Sequence, residues 1–181
     1  MQARPRRWAM ADPSIFMRRY SCRRFAATPL LHPELEHILE AAVWAPSAGN
    51  LQPWRLIVVT SDELKERLAG AAHQEFVAEA PVVIVVCAVP GESTRRYGER
   101  GRSLYCLQDT AAATENILLA AAELGLGSCW VGAFEEPAAA AVLELPSAWR
   151  PVALVPVGHP LEAPAERERR PRREVVLFRE A

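Results

Sequence analysis

Hydrophobic and polar positions along the chain predict helices that alternate with short strands. Residues 33–45 place apolar side chains three and four positions apart, which is the spacing of one helix face. The run from Val82 to Val89 is unbroken and mostly β-branched, as is typical of a central strand buried on both faces. Residues 109–124 are apolar on nearly every side, so we expect a helix buried all round. In a chain this small, such a helix indicates a dimer interface as well as a core.

Shorter segments complete the predicted order of elements. The expected short helices lie over residues 13–19, 61–72, 74–80 and 137–145, and the expected short strands over 56–60, 129–131, 151–158 and 175–178. Pro156 indicates an edge or a bulge in its strand. Residues 90–103 are rich in Arg, Gly and Glu and show no periodicity. The alternation predicts an α/β or α+β fold with a single mixed sheet.

Composition is that of one ordinary globular domain. The 181 residues carry a net charge of −1, so the whole molecule offers no long-range attraction to nucleic acid. We expect a flexible lead over residues 1–12 and one domain over 13–181. No apolar run is long enough for a membrane span, and the four cysteines form no CxxC pair. This pattern predicts a cytoplasmic protein with reduced thiols, no metal site, no nucleic-acid partner and no membrane partner.

The turn after the helix at residues 33–45 has the chemistry of a heterocycle-binding loop. Pro46 ends the helix, and the small residues 47–49 let backbone approach a flat ligand closely. Asn50 and Gln52 each carry a donor and an acceptor, which suits the alternating N–H and C=O groups of a flavin pyrimidine. Asn and Gln are also common turn formers, so an ordinary helix–turn–strand is the alternative.

This segment resembles the PSxxNxQPW signature of the nitroreductase family of FMN-dependent flavoproteins. The matching positions are Pro46, Ser47, Asn50, Gln52, Pro53 and Trp54. The resemblance implies an α+β fold of the family's kind, an α/β/α sandwich around a mixed sheet. It also implies an intertwined homodimer with FMN between the subunits, and NADH or NADPH as co-substrate. The flavin contacts that it implies in this loop are Pro46, Ser47, Ala48, Asn50 and Gln52.

An arginine-rich stretch at residues 18–25 provides phosphate-binding chemistry. Arginine suits phosphate because its planar fork can bond two oxygens at once. The stretch RRYSCRRF resembles the family's RRSxRxF element. By that resemblance Arg19, Ser21 and Arg23 lie at the phosphate or the ribityl chain, and Tyr20 joins them through its backbone. The alternative is a solvated basic turn.

Two later segments also resemble the family. Residues 125–134, GLGSCWVGAF, are similar to its GLGxxWxGxF element, which implies that Gly132 and Ala133 direct an N–H toward the flavin N5. The tail at residues 166–171, ERERRP, resembles a C-terminal basic clamp on the phosphate, with Arg167 and Arg169 as candidates. No side chain is assigned a catalytic role, since the hydride chemistry would belong to the flavin.

The resemblance implies an FMN-dependent enzyme that takes a hydride from NADH or NADPH. Its expected acceptors are nitroaromatics, quinones and free flavins, reduced in a ping-pong sequence through the flavin N5. One alternative is a specialised flavoprotein that dehalogenates or fragments its own flavin. The other is a non-enzymatic FMN-binding module.

Overall fold

The computed structural model describes residues 14–165 and 167–179. Its helices are α1 Ile15–Arg18, α2 His32–Val43, α3 Asp62–Ala72, α4 Phe76–Glu79, α5 Pro90–Arg100, α6 Cys106–Glu123, α7 Glu136–Val142 and α8 Arg172–Val175. Its strands are β1 Trp54–Val59, β2 Val82–Ala88, β3 Gly127–Ser128 and β4 Arg150–Gly158. A 3₁₀ turn spans Ala48–Asn50, and a π-helical turn spans Gly101–Tyr105. The predicted lead over residues 1–12 lies outside the described residues.

The strands form one sheet in the order β1-β2-β4-β3. All three strand pairs are antiparallel, so the sheet is less mixed than the sequence predicts. The one parallel pairing among the described residues is an isolated bridge between Ser21 and Ser128. That bridge joins the arginine-rich N-terminal stretch to the sheet edge at β3.

Helices cover both faces of the sheet, which confirms the expected α+β sandwich. Because side chains alternate along a strand, β2 packs against both layers. Ile84 and Val86 face the side of α2 and α6, whereas Val83 and Val85 face the side of α3, α4 and α7. All of β2 is buried, as its unbroken apolar run predicts.

Three sequence predictions are wrong in detail. Residues 90–103 are helical, and the helix is broken at Gly98, whose φ of 55° lies outside the helical region. Residues 175–178 form no strand, because Val175 ends a short helix and the rest pairs with no strand in the described chain. β4 is an interior strand, so the edge alternative for Pro156 is wrong, whereas a bulge does interrupt the pairing of β4 with β2, between Val86 and Cys87. The carbonyl of Pro156 accepts the N–H of Cys129, so the missing N–H of the proline faces the point where β3 has already ended.

The long helix α6 is buried within a single chain. Ten of its 18 residues are buried, among them Ile117, Leu118 and Ala121 against the sheet. Its apolar character is therefore explained without a second copy, and the dimer prediction needs other support. No helix in the described ranges is both long and apolar enough to cross a lipid bilayer.

Candidate functional site

The loop at residues 47–52 is held by its own side chains. The Ser47 Oγ accepts the N–H of Gln52 at 3.0 Å. The side-chain amide of Gln52 donates to both the carbonyl and the side-chain oxygen of Asn50, each at 3.3 Å. Asn50 and Gln52 have positive φ angles of 57° and 51°, and both side chains are exposed. The loop therefore presents two exposed amides on a fixed, left-handed backbone.

The helix α5 supports this loop from one side. At Gly49, φ is 58° and an added Cβ would lie 2.6 Å from the Tyr97 hydroxyl and 2.8 Å from the Arg96 guanidinium. Arg96 also donates to the carbonyl of Gly49 at 3.3 Å. Glycine is thus required here both by the backbone angle and by the close approach of α5.

A buried carboxylate of α6 lies beneath the same loop. The Asp109 Oδ1 accepts the Ala48 N–H at 3.0 Å, and Asp109 is only 6% exposed. Its Oδ2 is buried without a hydrogen-bond partner in the described chain. Burial raises the pKa of Asp109, although the bond from Ala48 opposes that shift. Asp109 thus fixes the backbone of the loop at an electrostatic cost.

The arginine-rich stretch is fixed to the opposite edge of the sheet. Cys22 donates its N–H to the carbonyl of Ser128 at 2.9 Å. Glu162 holds the stretch from the other side, because its carboxylate accepts the Arg23 N–H at 2.8 Å and its carbonyl accepts the Tyr20 hydroxyl at 2.7 Å. Ser21 and Arg23 are exposed within this anchored segment, as a ligand-binding element requires.

Three guanidinium groups converge beside this segment. Arg167 donates to the carbonyl of Met17 at 3.0 Å, which brings the C-terminal tail against α1. Partial burial lowers the pKa of Arg167, and the nearby charges of Arg19 and Arg169 lower it further. Among the described residues, Arg19 pairs with the carboxylate of Glu115 at 3.8 Å. A group of arginines whose charges repel one another is suited to an anion such as a phosphate.

Ser21 also contacts the segment that contains Gly132. Ser21 forms a bridge with Ser128, the residue before Cys129. Burial raises the pKa of the Cys129 thiol, and the charge of the nearby Arg23 acts against that rise. Gly132 and Ala133 are exposed and follow the bridge between Val131 and Leu154. In the described chain, neither of their N–H groups donates to a protein acceptor. Both donors are therefore free for a ligand.

Within one chain the predicted site residues form two separate groups. The phosphate-type group adjoins β3, which pairs with Val157 of β4. The loop at residues 47–52 leads into β1, whose first residue is level with Arg150 at the other end of β4. Along an extended strand these two ends of β4 are about 23 Å apart. Both groups nevertheless contact α6, through Asp109 at Ala48 and Glu115 at Arg19, so the separation along β4 is not the distance between the groups.

Several residues of these groups were not predicted from the sequence. Asp109 has the pattern of an acidic residue in the first turn of a helix, and Glu162 that of a surface loop. Arg96 and Tyr97 lie in a segment without periodicity. Only the excess of arginine in that segment was a usable signal.

Comparisons with known proteins identify the family of the chain. The family model described as "Nitroreductase family" matches residues 16–77 and 70–159. A Thermus thermophilus protein named NADH dehydrogenase is 34% identical to this chain. The alignment covers 90% of this chain and 93% of that protein. The chain therefore belongs to the nitroreductase family.

Solved structures support the same assignment. A nitroreductase family protein from Clostridium novyi is 37% identical, with a TM-score of 0.75 over 81% of this chain and 83% of that one. A nitroreductase family protein from Streptococcus pneumoniae has a TM-score of 0.84 at 25% identity, over 91% of this chain and 98% of that one. The fold is thus shared along nearly the whole described chain.

Proposed function

We propose that this chain is an FMN-dependent enzyme that uses NADH or NADPH to reduce nitroaromatic, quinone or flavin-type acceptors. The coarser assignment, an NAD(P)H-dependent oxidoreductase, follows from its membership of the nitroreductase family. The observation that carries the cofactor proposal is the hydrogen bond from Arg167 to the Met17 carbonyl, which holds a tail arginine two residues from Arg19 and beside the anchored segment at residues 20–23.

The residues of both groups fit FMN in chemical type. The clustered guanidiniums fit its phosphate, and the Ser21 hydroxyl lies beside them. The free N–H groups of Gly132 and Ala133 fit an acceptor such as the ring N5. The paired amides of Asn50 and Gln52 fit the pyrimidine edge, where they would stabilise negative charge on the reduced ring.

A bound FMN would supply the hydride and two-electron redox chemistry between NAD(P)H and the acceptor. This chain then has to bind the flavin, orient it and offer dipoles where charge develops. No side chain is proposed to act as a nucleophile.

We further propose that the complete site forms between two copies of the chain. Exposed apolar side chains flank both groups: Phe16 and Met17 are each 70% exposed beside Arg19, and Trp44 is 78% exposed just before the loop at residues 47–52. Leu177 and Phe178 in the tail are similarly exposed. Surfaces of this kind associate, and association would bring the loop of one copy to the arginines of the other.

An absorption spectrum of the purified protein tests the cofactor and the reaction together. We expect the visible band of oxidised flavin after purification or after addition of FMN, and its loss on anaerobic addition of NADH or NADPH. Protein that remains colourless with FMN would overturn the cofactor proposal. A flavin band that neither nicotinamide reduces would instead indicate a binding module, and loss of flavin rather than reoxidation in air would indicate a flavin-fragmenting enzyme.

A further inference from the structure

Two adjoining cavities open next to the loop at residues 47–52. The first has a volume of about 550 Å³ and is lined by Leu51, Gln52, Arg55, Glu92, Arg95 and Arg96. The second has a volume of about 830 Å³ and extends past Arg102 to Trp149 and Arg150. Glu92 and Arg95 line both cavities, so the two cavities adjoin the same stretch of α5. We call the two cavities together the α5 cleft.

The walls of the α5 cleft carry an excess of positive charge. Glu92 is paired with Arg55 at 2.5 Å, and Glu136 is paired with Arg150 through two hydrogen bonds of 2.8 Å. These pairs neutralise both carboxylates of the walls. Arg95 and Arg102 have no acidic side chain within 4.0 Å in the described ranges. Positive charge that no described carboxylate pairs with thus remains on Arg95, which lines both cavities, and on Arg102, which lines the second.

The far half of the cleft also offers an aromatic surface. Trp149 is half-buried there, and the Arg55 guanidinium lies 5.7 Å from the centroid of its ring. Indole rings and guanidinium planes both stack on nucleobases. Gln52 of the proposed flavin loop lines the first cavity, Trp149 lines the second, and Arg95 lines both.

We propose that the α5 cleft binds the adenosine diphosphate half of the nicotinamide dinucleotide, with Arg95 contacting the diphosphate. This inference rests on the proposed function, because the nicotinamide end would then lie toward Gln52. The two cavities offer a contact for each part of the ligand: Gln52 toward the nicotinamide, Arg95 for the diphosphate, and Trp149 with the neighbouring Arg55 for the adenine base. A single arginine at an exposed site contributes about fivefold in affinity for an anion.

Kinetics with two hydride donors test the proposal. We expect Arg95→Gln to raise the KM for NADH and NADPH about fivefold, with no change for 1-benzyl-1,4-dihydronicotinamide, a donor that lacks phosphate and adenine. The control is Arg100→Gln, which makes the same charge change on α5 at a residue that packs on Tyr105 and lines neither cavity. We expect no change in this control.

A binding experiment provides a readout that does not depend on turnover. ADP-ribose should quench the tryptophan fluorescence of the wild-type protein and compete with NADPH, and Arg95→Gln should weaken that binding by a similar factor. The KM for menadione, an uncharged quinone, should not change, which distinguishes a donor site from a site for an anionic acceptor.

Either of two results would overturn the proposal while leaving the enzyme intact. One is an unchanged KM for both dinucleotides in Arg95→Gln. The other is an equal rise for the benzyl donor, which would indicate general damage to the site. If no donor reduces the protein at all, the proposed function itself fails, and turnover of the benzyl donor separates these cases.

Discussion

Replacing Arg19 by alanine should release FMN without unfolding the protein. The carboxylate of Glu115 is 3.8 Å from the guanidinium, and half-exposed pairs of this kind contribute about 1 kcal/mol or less. Loss of that pair is offset in part because the repulsion that Arg19 exerts on Arg167 also disappears. A charge-assisted bond to phosphate contributes about 1.5–3 kcal/mol, which corresponds to roughly 10- to 150-fold in affinity.

Titration of the apoprotein with FMN and with riboflavin isolates this contribution. Riboflavin lacks the phosphate, so Arg19→Ala should weaken FMN binding and leave riboflavin binding as it was. Arg24→Ala is the matched control, because Arg24 is an exposed arginine of the same stretch whose side chain makes no hydrogen bond in the described chain. Equal losses for both flavins, or an unchanged dissociation constant for FMN, would refute the phosphate assignment.

Three further predictions concern the loop and the core. Gly49→Ala should lower the free energy of unfolding by at least about 2 kcal/mol, because the positive φ and the close approach of Tyr97 and Arg96 both oppose a Cβ. The control Gly125→Ala should lower it by about 1 kcal/mol, because only its φ of 74° opposes the change. Equal losses in denaturant titrations would mean that α5 does not pack on the loop. Asp109→Asn should stabilise the protein at pH 7. The pKa of Asp109 is raised on folding, so the wild-type protein loses stability as the pH rises through the range in which this carboxyl ionises. If the variant's gain in unfolding free energy does not shrink on acidification, this prediction is wrong. Burial raises the pKa of Cys87 to about 12, so the unfolded chain loses this proton at a lower pH than the folded protein does. The free energy of unfolding should therefore fall above pH 9, by about 1.4 kcal/mol per pH unit for this thiol. Cys87→Ala should make this fall with pH less steep, and an unchanged pH dependence would count against the burial argument.

The sequence predicted best what depends on local pattern. The buried strand β2 and the helix α6 were found because apolar side chains dominate both, and burial follows from composition. The loop at residues 47–52 was singled out because small residues and amides occur there together and because the segment resembles the PSxxNxQPW signature of the family; its flavin contacts stay a prediction.

What the sequence could not give depends on contacts between distant residues. The helix α5 is mostly polar and interrupted at Gly98, so it carries no apolar periodicity, and it forms against the loop at Gly49. The burial of Asp109 results from the loop that covers it. The separation of Arg19 from Gln52 follows from the strand order, which no single segment encodes.

Complementation between two inactive variants tests most directly whether the flavin site is shared by two copies. Arg19→Ala removes one group, and the double variant Asn50→Ala, Gln52→Ala removes the other. Refolded together, random dimers of the two should recover about a quarter of the wild-type flavin sites, because half the dimers are mixed and each has one intact site. Recovery no greater than that of the separately refolded variants would show that each site lies within one chain, and would contradict the account.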